Sequence, residues 1–148
     1  MIARCGCLLL LSVLGQPLLG QRVVIKNATP TIVSQSAEAY LRPDGFKVIR
    51  SDSAEVVLAL DRGKIPQQGM YQGGRGGTNL FWVVMEVHVQ FKRKADGLEV
   101  SAYEDVVVLH DDSSLVSRRR VNSHAELDNL RQFVTDLQRD IEGRKPEE

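Results

Sequence analysis

The alternation of apolar and polar residues between Phe81 and Phe91 is the clearest pattern in this chain. Apolar residues occupy every odd position: Phe81, Val83, Met85, Val87, Val89 and Phe91. The even positions hold Trp82, Val84, Glu86, His88 and Gln90. A period of two places successive side chains on opposite faces of an extended strand. The segment therefore predicts a long strand with one buried face.

Further strand signals lie on both sides of this segment. After it, KADGLEV supplies an Asp-Gly turn and residues 98–109 run back, which predicts a hairpin. Four shorter runs predict further strands: QRVVIKN, FKVIRS, AEVVLALDR and LVSRRRV. The third of these is apolar on both sides, as expected for a central strand.

Two segments show the periodicity of amphipathic helices. In the first, Thr29 can cap a helix with Pro30 at its first position, and PDG at 43–45 ends it. In the second, Ser123 and Glu126 form a capping box. The apolar stripes are Val33, Ala37, Tyr40 and Leu41 in the first helix, and Leu127, Leu130, Val134, Leu137 and Ile141 in the second. Each helix therefore needs an apolar surface to pack on.

The order of elements is strand, helix, strand, strand, hairpin, strand, helix. Two amphipathic helices bury their stripes and also cover an apolar sheet face only if both lie on that face. We therefore predict an α+β fold, a two-layer sandwich in which a mixed or antiparallel sheet with a long hairpin carries both helices on one face. The length suits a single domain, 21–143, followed by a disordered tail, 144–148.

The first 20 residues predict export. Arg4 precedes an apolar run, 7–14, and Gly15 and Pro17 end that run. This is the order of a secretory signal peptide, and the run is shorter than the roughly 20 residues of a spanning helix. We expect cleavage after Gly20 and a periplasmic protein. An outer-membrane association and an uncleaved or lipid-anchored form stay open as alternatives.

Composition excludes several classes of partner and chemistry. Cys5 and Cys7 both lie in the leader, so the mature chain has no thiol, disulfide or cysteine metal ligand. The chain has 19 basic and 19 acidic residues, and removal of Arg4 with the leader leaves a net charge of about −1. No global field therefore attracts the protein to nucleic acid or to an anionic membrane. We expect no nucleic-acid partner and at most peripheral membrane contact.

The glycine-rich segment YQGGRGGTN, at 71–79, has the composition of a phosphate-binding loop but not its context. Such a loop directs backbone N–H groups from the N-terminus of a following helix, with a Lys and a Ser/Thr at fixed positions. Here the segment lies between two predicted strands and lacks the Gly-Lys-Ser/Thr ending. We interpret it as a mobile strand connection. The alternative is a loop that orders on a partner, with Tyr71 and Arg75 as contacts.

The sequence presents no catalytic grouping. HDDSS at 110–114 predicts a turn, and a metal site there is the alternative, although His88 and His124 lie in unrelated elements. The serines of this turn have no base oriented by a third group. Glu104 and Asp105 alternate with apolar neighbours, and we interpret both as solvent-facing strand positions. We therefore predict a non-enzymatic protein with no metal and no cofactor.

Two basic clusters are candidate binding residues. They are Lys92, Arg93 and Lys94 at the end of the long strand, and Arg118, Arg119 and Arg120 in the last strand. Strand spacing puts Arg118 and Arg120 on one face and Arg119 on the other. If the last strand pairs beside the hairpin, the clusters form one cationic rim for an acidic partner, such as lipid A phosphates, an anionic glycan or a carboxylate-rich protein face. The alternative is a solvated edge whose charges block unwanted sheet pairing.

The element order and two segments resemble a group of small bacterial envelope proteins. The segments are AYLRPDGFKVI at 39–49 and SAEVVLAL at 53–60, followed by the hairpin and the C-terminal amphipathic helix. The group includes the outer-membrane lipopolysaccharide-assembly lipoprotein, its small relatives, and the α+β domains of curli-export and Tol-type periplasmic proteins. The resemblance covers 23–141, carries over no individual residue, and implies a non-enzymatic accessory that docks onto an envelope machine. The leader departs from the lipoprotein members, because RCGC precedes the apolar run.

We therefore expect an exported, non-enzymatic binding or assembly accessory of the bacterial cell envelope. Its partner would be an envelope protein complex or an acidic glycan or lipid component. The candidate contacts are Tyr71, Arg75, Lys92, Arg93, Lys94, Arg118 and Arg120. The alternative is a secreted small-molecule binder or inhibitor with a pocket between the sheet and its helices, and with Trp82 and Tyr103 at the mouth.

Overall fold

The computed structural model of the chain describes residues 22–67 and 79–144. The described elements are β1 (Arg22–Ile25), α1 (Pro30–Leu41), β2 (Lys47–Ser51), β3 (Glu55–Gln67), β4 (Asn79–Lys94), β5 (Gly97–Leu109), β6 (Leu115–Arg120) and α2 (His124–Gly143). Each of them matches a predicted element. The predicted leader, the candidate contacts Tyr71 and Arg75, and residues 145–148 lie outside the described residues.

All the strands join one antiparallel sheet in the order β1-β5-β4-β3-β2, and β6 also pairs with β5. The segment 98–101 of β5 pairs with β1, whereas the segment 105–109 pairs with β6. The other edge of β5 pairs with β4 along its whole length. Consequently β1 and β6 lie one after the other along the same edge of β5. Each end of β5 therefore lies between two strands, β4 on one side and either β1 or β6 on the other.

Both helices pack on one face of this sheet, as the two-layer prediction requires. The core between the layers is built mainly from Val33, Ala37 and Leu41 of α1, Leu130, Phe133, Val134, Leu137 and Ile141 of α2, and Ile25, Val56, Leu58, Val87, Val89, Leu98, Val100 and Ala102 of the sheet. Within each strand these residues recur at every second position, so the opposite set of side chains points away from the helices. The α+β sandwich is thus confirmed.

Local sequence signals fix the ends of the helices. The Thr29 hydroxyl accepts the N–H of Ile32 at 3.3 Å and the Ser123 hydroxyl accepts the N–H of Glu126 at 3.4 Å, so both predicted caps are present. Gly45 follows a single 3-10 turn after α1 and has φ +92°, a left-handed conformation that glycine adopts without steric cost. These caps set where each helix starts and where the chain turns into β2.

The hairpin between β4 and β5 turns one residue earlier than the Asp-Gly motif predicts. Its turn residues are Ala95 and Asp96, while Gly97 already pairs with Lys94. A Cβ on Gly97 would lie 2.5 Å from the carbonyl oxygen of Ile25, so glycine is required because β1 passes close by. This turn fixes which residues of β4 and β5 face one another.

Candidate binding sites on the two faces of the sheet

Polar and aromatic residues from five strands meet on the face of the sheet that the described helices leave uncovered. We call this group the ionic cluster; it consists of Arg50 (β2), Glu55 (β3), Glu86 and His88 (β4), Tyr103 and Asp105 (β5), and Arg118 and Arg120 (β6). The register explains the convergence, since His88 lies opposite Tyr103 and Glu86 opposite Asp105. Arg120 in turn lies opposite Asp105.

His88 is at the centre of the ionic cluster and faces a carboxylate at each ring nitrogen. Its Nδ1 lies 3.0 Å from Glu55 Oε1, and its Nε2 lies 3.2 Å from Glu86 Oε2. A neutral imidazole donates only one of these hydrogen bonds, whereas the doubly protonated ring donates both. The Tyr103 ring stacks on His88 at a centroid distance of 4.4 Å, and its hydroxyl donates to Glu55 Oε1 at 3.2 Å. The ring is therefore held in one orientation.

Two arginines of β6 bind the carboxylates from the opposite side of the cluster. Arg118 Nη1 donates to Glu86 Oε2 at 2.5 Å and to Asp105 Oδ2 at 3.3 Å. Arg120 Nε donates to Asp105 Oδ1 at 2.6 Å, and its guanidinium carbon lies 3.5 Å from the centre of the Tyr103 ring. The bond to Glu86 raises the pKa of the Arg118 guanidinium above its ordinary value. These bonds therefore hold both guanidinium groups in fixed orientations.

A third arginine completes the cluster on the β2 side. Arg50 forms an ion pair with Glu55 Oε2. Burial acts to raise the pKa of the Glu55 carboxyl, but the bonds from His88 and Arg50 outweigh it and hold that pKa below its ordinary value of 4.5. Burial and the nearby Glu55 charge raise the pKa of the Tyr103 hydroxyl. Glu55 is thus an ionised carboxylate at neutral pH, and Tyr103 keeps its proton.

The ionic cluster is layered, with its negative groups below and its positive groups above. The side chains of Glu55, Glu86 and Asp105 are 12%, 12% and 6% exposed, whereas those of Arg50, Arg118 and Arg120 are 60%, 42% and 46% exposed. A cavity of about 410 Å³ opens among them, and Ile49 and Val57 add apolar surface to it. A guanidinium has five N–H donors, so each arginine keeps donors for a group outside the protein. The outer surface of the cluster is therefore suited to carboxylate or phosphate oxygens.

The interpretation of Glu104 and Asp105 as solvent-facing residues is wrong. Glu104 is 9% exposed and Asp105 is 4% exposed. Adjacent residues of a strand point to opposite faces, so Asp105 enters the ionic cluster while Glu104 points beneath the helices. The even-numbered side of β4 is also more buried than its composition suggests, because Glu86 and His88 are shielded by the arginines and Tyr103 above them.

The two predicted basic clusters lie at opposite ends of β5. The last strand does pair beside the hairpin, and Arg118 and Arg120 share one face, as predicted. However, in the strand register Lys92 lies opposite Glu99, whereas Arg120 lies opposite Asp105, six residues further along β5. At about 3.3 Å per residue the separation is roughly 20 Å, so the clusters do not form one rim. The residues Arg93 and Lys94 lie at the hairpin tip, where Lys94 pairs with Glu99 at 3.3 Å.

A second cavity, of about 540 Å³, lies between the sheet and the helices; we call it the helix-side cavity. Its apolar lining comes from Tyr40, Leu41, Phe46, Leu60, Met85, Val87, Leu130 and Phe133, and its polar lining from Asp44, Arg62, Glu104, Asn129 and Gln132. Trp82 and Tyr103, which we expected at the mouth of such a pocket, lie on the opposite face. Tyr103 stacks on His88 there, and Trp82 occupies an even position of the same strand as His88.

The turn that suggested a metal site is held together by its own hydrogen bonds and ion pairs. The Asp112 carboxylate accepts the N–H and the hydroxyl of Ser114 at 2.9 and 2.6 Å, and these bonds lower its pKa. Asp111 pairs with Lys64 at 3.1 Å, and the ring of His110 lies 5.4 Å from that of Phe81. Within residues 22–67 and 79–144, no group of three or more His, Cys, Asp or Glu side chains has a metal-binding arrangement.

Most of the ionic cluster was not predicted from the sequence. Arg118 and Arg120 were candidate contacts, but their partners Glu86 and Asp105 were not, and neither were Arg50 and its partner Glu55. One signal was available, because alternate positions of the long strand, the returning strand and the last strand carry opposite charges that an antiparallel register brings together. The pattern of any single strand does not show this pairing.

Comparisons with known proteins give no indication of function, so a functional proposal must rest on the geometry of these sites. No family model, no curated protein and no solved structure matches this chain. Among the described helices, none is both long enough and apolar enough to cross a membrane. The resemblance to small envelope proteins therefore stays a prediction.

Proposed function

We propose that this protein is an exported, non-enzymatic binding accessory of the bacterial cell envelope that engages an acidic partner through the ionic cluster. The observation that carries the proposal is the layering of this cluster. Three half-exposed guanidinium groups lie above buried carboxylates on the face away from the helices. The partner would be an envelope protein that presents carboxylates at this face, and an acidic glycan or lipid component is the alternative partner.

The ion pairs within the cluster favour binding because they orient the arginines in advance. Arg120 is held between Asp105 and the Tyr103 ring, and Arg118 is held by two carboxylates. The arginines therefore lose less side-chain conformational entropy when a partner binds than freely rotating arginines would lose. The buried carboxylates also limit the net attraction, so the cluster favours a ligand of matching geometry over any anion.

The envelope location rests on the leader pattern at 1–20 and on the resemblance to small envelope proteins. Lys92, Arg93, Lys94, Tyr71 and Arg75 stay predicted contacts that lie away from the ionic cluster or outside the described residues. Lys92, Arg93 and Lys94 enter the same proposal as a second contact region at the hairpin tip, and Tyr71 and Arg75 stay predicted contacts of the glycine segment.

Site-specific photo-cross-linking in bacteria that naturally make the protein tests the docking face. A photoreactive residue at Ile49, which is exposed and lines the cavity of the cluster, is compared with one at Arg139 on the outer surface of α2. We expect one reproducible partner adduct from position 49 and none from position 139. Equal adducts from both positions would contradict the proposed docking face.

A charge variant with a matched control tests the role of the arginines. Arg50→Gln removes the most exposed guanidinium of the cluster, and Arg42→Gln removes a similarly exposed arginine that pairs with Glu38 elsewhere on the surface. We expect Arg50→Gln to reduce the adduct from position 49 several-fold and Arg42→Gln to leave it unchanged. An adduct that is insensitive to Arg50→Gln would argue that the cluster serves stability alone.

Small-molecule binding is the second candidate function, and the helix-side cavity favours it. At about 540 Å³ this cavity is within the range of roughly 300–1,000 Å³ that is typical of ligand pockets. It combines aromatic and aliphatic walls with a few polar groups, which is the usual composition of such sites. Thermal-shift measurements against a ligand panel test this candidate, and a flat response to every compound would count against it.

A further inference from the structure

Glu104 is the one buried carboxylate of β5 that the ionic cluster does not use. Its side chain lines the helix-side cavity, and its Oε1 is inaccessible to solvent and has no hydrogen-bond partner among the described residues. An unpaired buried acceptor costs about 1–3 kcal/mol in desolvation, so its presence in a folded protein calls for an explanation.

The charges around the helix-side cavity favour a cation over an anion. Glu104 and Asp44 line it with negative charge. Burial raises the pKa of the Glu104 carboxyl, and the charge of Glu126 in α2 raises it further. Arg62 is the cation of the lining and acts in the opposite direction on that pKa. A bound positive group would therefore correct an excess of acidic over basic groups.

Arg62 does not hydrogen-bond to Glu104, although both line the cavity. Its Nε instead lies 2.8 Å from the sulfur of Met85, on the same wall. The Tyr40 hydroxyl, at the helix side of the cavity, donates to Asp136 at 3.1 Å, so this hydroxyl is already committed as a donor. Among the residues that line the cavity, neither Arg62 nor Tyr40 therefore satisfies the Glu104 carboxylate.

The walls of the cavity specify an apolar body for that ligand. Phe46, Phe133 and Tyr40 supply aromatic surface, and the Tyr40 and Phe133 rings pack at a centroid distance of 5.1 Å. Leu60, Met85 and Val87 supply the aliphatic floor on the sheet. Aromatic faces also attract ammonium groups electrostatically, which adds to the preference for a cation.

We propose that the helix-side cavity binds a small amphipathic amine, with the apolar body between the helices and the sheet and the ammonium group on Glu104. This inference rests on the second candidate function, small-molecule binding, and is independent of the ionic cluster. The ammonium donates hydrogen bonds to the carboxylate and leaves its apolar body in contact with the Phe133 and Met85 walls.

Protein-observed NMR titration with three probes of nearly identical shape tests the proposal on the unmodified chain. The probes are phenethylammonium, 2-phenylethanol and 3-phenylpropanoate, which differ in the charge of one terminal group. We expect the amine to bind at least tenfold more tightly than the alcohol and the acid to bind most weakly. The amide signals that move should belong to residues of the cavity, such as Val87 and Leu130, and not to the ionic cluster.

Glu104→Gln, with Glu38→Gln as the matched control, assigns the charge preference to one side chain. Glu38 is a surface residue of α1 that pairs with Arg42. We expect Glu104→Gln to weaken phenethylammonium binding about tenfold and to change 2-phenylethanol binding less than twofold, while Glu38→Gln changes neither. Retained binding of the alcohol also shows that the variant is folded.

The outcomes separate the inference from the candidate function on which it rests. If all three probes bind the cavity equally, the amine inference is overturned and small-molecule binding survives. If none of them binds, both are overturned. If the amine is preferred but Glu104→Gln does not reduce that preference, the assignment to Glu104 is overturned.

Discussion

Glu104 and Asp105 are neighbours in β5, but they lie on opposite faces of the sheet and differ in their hydrogen-bond partners. Asp105 receives Arg118 and Arg120 within 3.3 Å, whereas Glu104 Oε1 has no hydrogen-bond partner in the described structure. Both side chains are almost fully buried. Burial alone therefore does not reveal the role of a carboxylate. The supply of partners separates a charge that stabilises the fold from one that is available to a ligand.

The largest expected effect comes from removal of the residue at the centre of the ionic cluster. His88→Ala deprives both Glu55 and Glu86 of a buried partner and removes the stacking surface of Tyr103. We expect a loss of about 3 kcal/mol in the free energy of unfolding, measured by urea denaturation. His124→Ala, at an exposed position at the start of α2, serves as the control and should change stability by less than about 0.5 kcal/mol. Equal effects of the two variants would contradict the account of the cluster.

Neutralisation of the two neighbouring carboxylates should have effects of opposite sign. Asp105→Asn weakens the bonds to Arg118 and Arg120, and we expect it to lower the free energy of unfolding by about 2 kcal/mol at pH 7. Glu104→Gln removes a buried charge without a partner, and we expect it to raise that free energy by about 1 kcal/mol. Chemical denaturation of both variants checks the signs. Destabilisation by Glu104→Gln as large as that by Asp105→Asn would show that Glu104 has a partner after all.

The stability effects of two glutamates should also depend on pH in opposite directions. The folded-state pKa of Glu104 is raised above 4.5, so its favourable contribution is present below that pH and is lost as the pH rises through the folded-state pKa. The folded-state pKa of Glu55 is lowered, so its contribution is present above 4.5 and is lost as the pH falls through the folded-state pKa. We therefore expect denaturation at pH 4 and pH 7 to show opposite trends when each variant is compared with the unmodified protein. From pH 4 to pH 7, Glu104→Gln should become more stable relative to the unmodified protein, and Glu55→Gln should become less stable relative to it. Parallel changes in the two variants would contradict the comparison.

The smallest effect is expected at the exposed border of the ionic cluster. Arg50→Gln removes an ion pair whose arginine is more than half exposed, while Glu55 keeps His88 and Tyr103 as partners. We expect a loss of about 0.5 kcal/mol in urea denaturation, as is typical of exposed pairs. A loss approaching that of His88→Ala would mean that Arg50 is part of the buried network and not of its surface.

Patterns within single elements were sufficient to predict the fold. The alternation from Phe81 to Phe91 gave a strand, and the caps at Thr29 and Ser123 placed the starts of both helices. These signals act over a few residues, where backbone hydrogen bonding and periodicity determine the outcome. The requirement that both helices bury their stripes then led to the two-layer arrangement.

Charge alternation indicates which strands share the ionic cluster, but the residue pairs within it depend on the register. An Asp-Gly turn at Asp96 and Gly97 would set His88 opposite Asp105, but the observed turn at Ala95 and Asp96 sets it opposite Tyr103. Turn geometry of this kind is decided partly by tertiary contacts, here the close passage of β1 at Gly97. A sequence motif alone does not reveal that contact.

An irregularity in β2 places Arg50 on the face of the ionic cluster, where regular alternation would not place it. Val48 pairs with Leu58 and Arg50 pairs with Val57, because the register shifts between them. Residues two apart in a regular strand share a face, but this irregularity puts Val48 and Arg50 on opposite faces. Arg50 therefore reaches Glu55 in the ionic cluster, and alternation in FKVIRS does not predict this.

The most direct test of the contrast between the two faces is a pH titration of the glutamate side-chain carboxyl carbons by NMR. The titration measures the pKa of Glu104 and Glu55 in one sample of the unmodified protein. We predict that Glu104 titrates above the ordinary value of 4.5 and that Glu55 titrates below it. Titration of both carboxyls at the ordinary value, or in the reverse order, would contradict the claim that one face leaves a buried carboxylate unpaired while the other face pairs it.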